Sequence, residues 1–233
     1  MKHLLILIVI ISAFHLFSGL PEKAQPAGKA MKYNDPFQMI REGQSLLKEG
    51  DLVLRLNRDP LSQYIKNFSR HDKRFSHAGI VLYEHGYPYV FHIVNGVENP
   101  DEKLRMDSLS HFCSPRKNAA WGIYRYDMDT LEMKKMKEVI HQWYQQGLRF
   151  DTAFDLKTND RMYCSEMIRK ALLKATAKRI SIETTSLTDK EARFFSVYIK
   201  HPVSYTSTLQ LVAMDDLYEN PHCQFVKNYN YDY

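Results

Sequence analysis

Arg161-Met162-Tyr163-Cys164-Ser165-Glu166-Met167-Ile168-Arg169-Lys170-Ala171-Leu172-Leu173-Lys174-Ala175 is the stretch on which the fold turns. From Cys164 onward the small or apolar side chains fall at 164, 167, 168, 171, 172 and 175, the spacing of one helical face. This predicts a helix that opens at Cys164 and turns the cysteine inward. Unpaired backbone N–H groups and the macrodipole at a helix start favour a nearby negative charge, so a thiol there ionises more easily. The same N–H groups can hold the oxyanion formed when sulfur attacks a carbonyl. Taken alone, the pattern more often means a small buried core cysteine. A histidine placed upstream on a strand shifts that balance.

That histidine lies in Phe75-Ser76-His77-Ala78-Gly79-Ile80-Val81-Leu82-Tyr83, which Glu84-His85-Gly86-Tyr87-Pro88 separates from Tyr89-Val90-Phe91-His92-Ile93-Val94. Two β-rich runs about a Gly- and Pro-containing turn predict a hairpin. His77, Gly79 and Val81 alternate onto one face of the first strand; Val90, His92 and Val94 share a face of the second. A loop of two or four residues puts His77 and His92 on the same side of the sheet. A two-residue loop at Glu84-His85 sets them directly opposite, with Cβ atoms about 4.5–5.5 Å apart, whereas an odd loop without a bulge separates them. Gly79 leaves room beside His77 for another element.

Around these two stretches the chain reads as alternating short helices and strands. Asp35 and Pro36 start a helix to about Lys48, Asp51–Leu56 is a strand, and Leu61–Phe68 a short amphipathic helix. Leu104–Phe112 reads as extended, then helical. Ala120–Tyr126 is a third or fourth strand, and Thr130 caps a helix to about Gln146. Asp151, Asp155 and Asp160 fall in a polar loop without the Gly and terminal Glu of a Ca²⁺ loop, and read as solvated carboxylates. Ile180–Ser186 is a surface loop, Ala192–Ile199 helix or strand, Thr206–Tyr218 a last short helix, and Cys223–Val226 a final strand.

With 233 residues, 44% hydrophobic and 25% charged, the chain suits one core and one domain, residues 35–233. A net charge of +5 without a run of five basic residues lends no support to nucleic-acid binding. Residues 4–20 are apolar behind Lys2, short for a span and long enough for an export signal, so residues 1–20 read as a signal peptide or an uncleaved anchor. Residues 21–34 read as a linker, and any membrane association is expected only through the first segment. Of the three cysteines, Cys113, Cys164 and Cys223, at least one is free in a monomer, and a Cys113–Cys223 disulfide is left open. No two cysteines are close enough for a zinc pair, and His71, His85, His111, His141, His201 and His222 show no metal-ligand spacing.

A helix-start thiol and a strand imidazole are the two parts of nucleophilic cysteine chemistry, with a third group to fix the imidazole tautomer. His92 is the candidate by parity. At these residues the chain also resembles a known family. Ser76-His77-Ala78-Gly79-Ile80-Val81 and Tyr163-Cys164-Ser165-Glu166 resemble the two signature blocks of the permuted papain-like NlpC/P60 hydrolases, the YiiX/YebB-like group, in the same order. Gly50–Val53 resembles the opening strand of that group and Thr208–Tyr218 its tail, so the likeness spans roughly residues 45–226.

The resemblance implies an α+β, circularly permuted papain-like fold: an antiparallel sheet packed against helices, with the nucleophile at a helix N-terminus. It implies Cys164 as nucleophile and His77 as general base and acid, with no metal or organic cofactor. The family's third position is commonly Glu; here it aligns with His92, which carries no fixed negative charge, and Glu98 is a fallback. Tyr163 and Glu166 flank the nucleophile, as binding residues or as packing and capping groups. The expected reaction is amide cleavage through an acyl-enzyme in an exported protein of the periplasm or cell envelope. An amide-containing small molecule or peptide is the partner, cell-wall (peptidoglycan-derived) peptides being the first candidates. Two alternatives stand beside it: a lipid esterase or acyltransferase with the same Cys–His pair, and a binding module that keeps the fold without catalysis.

Overall fold

The structure is a computed structural model that describes residues 35–96 and 99–231. The expectations for residues 1–34, and Glu98 as a fallback orienter, lie outside the described residues. Strands β1 (Leu52–Asn57), β2 (His77–Glu84), β3 (Tyr87–His92), β4 (Arg105–Ser108), β5 (Asn118–Tyr126) and β8 (Cys223–Asn230) form one antiparallel sheet, ordered β4-β3-β2-β1-β5-β8. A second, two-stranded sheet pairs β6 (Thr185–Ser186) with β7 (Gln210–Leu211). Ala120–Tyr126 thus belongs to the fifth strand, not the third or fourth, because Arg105–Ser108 pairs on the edge of β3.

Both faces of the large sheet are covered, which is why its central strands are almost continuously apolar. On one face Leu52, Leu54, Ala78, Ile80, Leu82 and Phe91 pack with α4 (Thr130–Gln145) and α5 (Cys164–Ala175). On the other, Val53, Val81, Val90, Trp121 and Ile123 pack with α1 (Pro36–Leu46) and α3 (Leu109–Phe112). Helix ends follow side-chain capping: Asp35 accepts from the Phe37 N–H, and Asp129 forms a capping box with Glu132 one residue ahead of the expected Thr130. The buried Asp51 closes β1 onto β5 by receiving Arg125 at 2.7 and 2.8 Å. Removing Arg125 would leave a buried charge unpaired, at a cost of roughly 3–5 kcal/mol.

Two sequence expectations are corrected outside the sheet. Thr206–Tyr218 is not one helix: α7 (Val203–Thr206), β7 and α8 (Met214–Tyr218) share that region, since β7 pairs with Thr185–Ser186 and competes with the helix. Asp151 is not solvated; it is 4% exposed and accepts from the Ala153 and Asp155 N–H groups, closing the loop before α5 on itself. Ala192–Ile199 resolves as helix, α6 (Asp189–Tyr198), started by a Thr188–Glu191 capping box. Cys113, Cys164 and Cys223 are all free.

Candidate functional site

The loop of the β2–β3 hairpin is His85-Gly86, with φ of 51° and 85°, so both loop residues take the positive φ that a type I′ turn demands. Glu84 therefore pairs with Tyr87, and His92 falls opposite Gly79 rather than His77. The register is two residues from the one that would set the histidines face to face. Because the offset is even, both still lie on one side of the sheet as diagonal neighbours. Gly79 makes the diagonal contact feasible: a Cβ there would stand 2.5 Å from Val90 Cγ1 and 3.0 Å from His92 Cβ. Across this gap His77 Nε2 and His92 Nδ1 are 3.0 Å apart.

Beyond His92 the line of polar groups continues. Strand β4 pairs Val90 with Asp107, which puts Asp107 on the His92 side of the sheet, and His92 Nε2 lies 2.9 Å from Asp107 Oδ2. Arg105 donates to the other carboxylate oxygen at 3.1 Å. Burial pushes the Asp107 carboxyl up, but the hydrogen bonds and charges of His92 and Arg105 more than offset it and bring its pKa to about 2. Burial lowers His92 to about 4 despite the Asp107 hydrogen bond. His77 is driven well below its ordinary value by burial, then by the charges of Arg55 and His92. Phe112 walls both rings, with centroids 5.6 Å from His77 and 4.9 Å from His92.

Cys164 is the first residue of α5, with Tyr163 as N-cap. Its helix packs on the face carrying Ala78 and Ile80, whereas His77 belongs to the opposite parity; both residues line one cavity at the start of β2. There the backbone N–H groups of Ala78, Ser165 and Cys164 bear on the sulfur. The thiol nevertheless does not ionise more easily than usual. Burial raises its pKa, and those N–H groups with the Arg55 charge lower it only in part. Desolvation outweighs the helix terminus here. Arg55, the register partner of His77, is 2% exposed, donates to Phe112 O at 2.8 Å and stands 4.5 Å over the Phe112 ring.

Tyr163 and Glu166 hold the Cys164 helix in place. The Tyr163 hydroxyl accepts from the Val212 N–H at 3.0 Å while Ser165 Oγ donates to Val212 O at 2.8 Å, stapling the 212 segment to the helix start. Glu166 is fully buried, accepts from the Tyr163 N–H at 3.2 Å and pairs with Lys170 at 2.8 Å. Asp107 and Arg55 were missed by sequence reasoning. Arg55 left a signal, a lone charge inside Leu52-Val53-Leu54-Arg55-Leu56; Asp107 became readable only once β4 was paired to β3.

His77 and Cys164 line a common cavity of about 460 Å³. Its other walls are largely apolar, Ile65, Phe68, Phe154, Phe195, Tyr198 and Leu211 among them. The arrangement offers a sulfur beside amide donors, an imidazole with a positioning chain behind it, and an apolar chamber to hold one side of a substrate.

Comparison with known proteins bears on the fold and the family. Among curated proteins none matches the sequence. A solved structure, described as the metalloprotein yiiX from Escherichia coli O157:H7, superposes with a TM-score of 0.60 at 18% identity, covering 78% of this chain and 97% of that one. That likeness carries the fold: a permuted papain-like α+β architecture, as expected from the order of the His77 and Cys164 blocks. In this chain no three His, Cys, Asp or Glu side chains of the described residues are grouped to hold a metal ion. With residues 46–227 matching their family, from the β1 approach to the last strand, the chain belongs to the permuted papain-like amidase enzymes of the YaeF/YiiX, C92, family.

Proposed function

We propose that the chain is a cysteine-dependent amidase in which Cys164 is the nucleophile and His77 the general base and acid. One observation carries the reading: the Cys164 sulfur, set against the Ala78, Ser165 and Cys164 N–H groups, shares a cavity wall with a histidine whose ring is tied to His92 at 3.0 Å. A half-buried thiol with a raised pKa and a histidine with a lowered one favour the neutral pair at rest. Proton transfer then accompanies attack instead of preceding it. The S–H proton passes to His77 as the C–S bond forms, the N–H groups near the sulfur are placed to meet the oxyanion, and His77 returns the proton to the departing amine as the C–N bond breaks. Water then gives its proton to His77, its oxygen bonds to the acyl carbon, and the sulfur leaves and regains the proton.

The apolar cavity supports an acyl chain or other large apolar group on the substrate, so an N-acyl amide or a lipid ester fits its wall better than a polar cell-wall peptide. The apolar run at residues 4–20 supports export, and with it a substrate in the cell envelope. No helix among the described residues is long and apolar enough to cross a membrane. The test is alkylation by iodoacetamide across pH, with mass-spectrometric readout of Cys164, followed by hydrolysis of N-acyl amides. Cys164→Ala should abolish hydrolysis, and His77→Ala should lower it by about 10²–10⁴-fold. Alkylation of Cys164 that follows an ordinary thiol titration and is indifferent to His77→Ala would favour a non-catalytic binding module.

A further inference from the structure

The imidazole that would serve Cys164 is backed by another imidazole, which cannot by itself supply a fixed charge. The negative charge sits one strand further out. At neutral pH Asp107 is ionised, so its oxygens only accept, and His92 must place its proton on Nε2, 2.9 Å from Asp107 Oδ2. A neutral His92 protonated on Nε2 presents a lone pair at Nδ1. The group 3.0 Å away, His77 Nε2, must then be the donor. His77 is left with its lone pair on Nδ1. Each link follows from the one before, and the whole chain of proton positions starts at one carboxylate on β4.

We propose that Asp107 is the positioning residue of this site: acting through His92, it holds His77 in the Nε2–H tautomer, leaves Nδ1 free as the base for Cys164, and stabilises the imidazolium that forms there. When the thiol proton reaches His77 Nδ1, the added charge is shared along Nε2–H to His92 and from His92 Nε2–H to the carboxylate, and no proton leaves Asp107. His92 is thereby the relay that lets a carboxylate on the third strand from Arg55 do what a carboxylate on β3 could do directly. The charged and titratable groups facing this line are Arg55 on β1, Arg105 on β4, His111 of α3, whose Nε2 is 3.8 Å from Asp107 Oδ2, and Cys164 on α5. Arg55 opposes a positive charge on either histidine. Asp107 opposes Arg55 in turn, which makes the carboxylate necessary for a cationic intermediate at His77.

The inference rests on the Cys164–His77 reading, and the experiment separates the two. Nitrogen NMR on the ¹⁵N-histidine-labelled full chain should show both His77 and His92 protonated on Nε2 at neutral pH; an Nδ1–H tautomer at His77 would overturn the proposal without any variant. Iodoacetamide alkylation of Cys164 is then compared in the native protein, His77→Ala, Asp107→Asn and the double variant His92→Glu/Asp107→Asn. Asp107→Asn should lower the rate at neutral pH at least about tenfold, the size of one pKa unit, and move the inflection assigned to His77. The double variant, which sets a carboxylate directly against His77 Nε2–H, should restore most of the rate, a rescue that a merely structural Asp107 would not give. A rate lost in His77→Ala but kept in Asp107→Asn overturns the positioning role alone. Indifference to His77→Ala overturns the underlying reading and the proposal with it.

Discussion

Gly79 sets the tolerance of the site. Any side chain there meets Val90 Cγ1 at 2.5 Å, the Phe91 carbonyl at 2.9 Å and His92 Cβ at 3.0 Å. The carbonyl belongs to the ladder and cannot withdraw without loosening β3. Gly79→Ala should therefore destabilise the fold by about 1–3 kcal/mol, the usual cost of overpacking. It should also slow Cys164 alkylation, because the displaced group is the one holding His77. Denaturant midpoints read the first effect and the alkylation rate the second; a stable variant with native thiol reactivity would show that the His77–His92 contact does not depend on this gap.

The Cys164 helix carries its own pH dependence. Glu166 closes the capping box of α5 from a fully buried position, where burial, opposed by Lys170 and the Tyr163 N–H, pushes its carboxyl up to about 7 from the ordinary 4.5. A raised carboxyl binds its proton more tightly in the folded chain. Stability then falls as pH rises from about 4.5 to 7, and the cost is complete above that range. The site histidines, whose folded pKa values are depressed, act in the opposite sense, losing stability as pH falls below 6.5. Comparing native protein with Glu166→Gln cancels their part. The variant keeps an acceptor for the Tyr163 N–H, and its loss of stability between pH 4.5 and 7 should be smaller by on the order of 2–3 kcal/mol. An equal loss of stability in the two proteins, read from urea titrations at the two ends of the range, would place the proton elsewhere.

Across the whole molecule, the two-faced sheet explains why the cavity is where it is. Helices α4 and α5 cover one face and α1 with α3 the other, and an open chamber forms where β1 ends and β2 begins, with aromatic side chains of α6 and Cys164 among its walls. If an acyl chain fills that chamber, each methylene buried in the transition state contributes up to about 0.8 kcal/mol, roughly fourfold in kcat/KM. Hydrolysis of a series of N-acyl amides should then rise with chain length until the cavity is full. Leu187→Trp, which reduces the volume, should flatten that rise and shorten the preferred chain. A rate independent of chain length in both proteins would leave the apolar wall without a role in substrate choice.

Much of this was legible in the residues themselves. The 3.6-residue apolar spacing after Cys164 determined the helix and its inward cysteine, and the alternation around His77 and His92 determined two strands with both imidazoles on one side. These are local properties, set by periodicities of a few residues. The type I′ turn at His85-Gly86 lay within reach of the same reasoning, yet which two residues form the loop depends on how the strands settle against their neighbours. Only the tertiary structure decided that Asp107 stands behind His92, because that depends on the register of β4 against β3. Only packing decided that the thiol is raised and not lowered, since desolvation comes from atoms far apart in sequence. The aromatic chamber belongs to the same class: its walls come from segments more than a hundred residues apart, and a void exists only where such segments fail to touch.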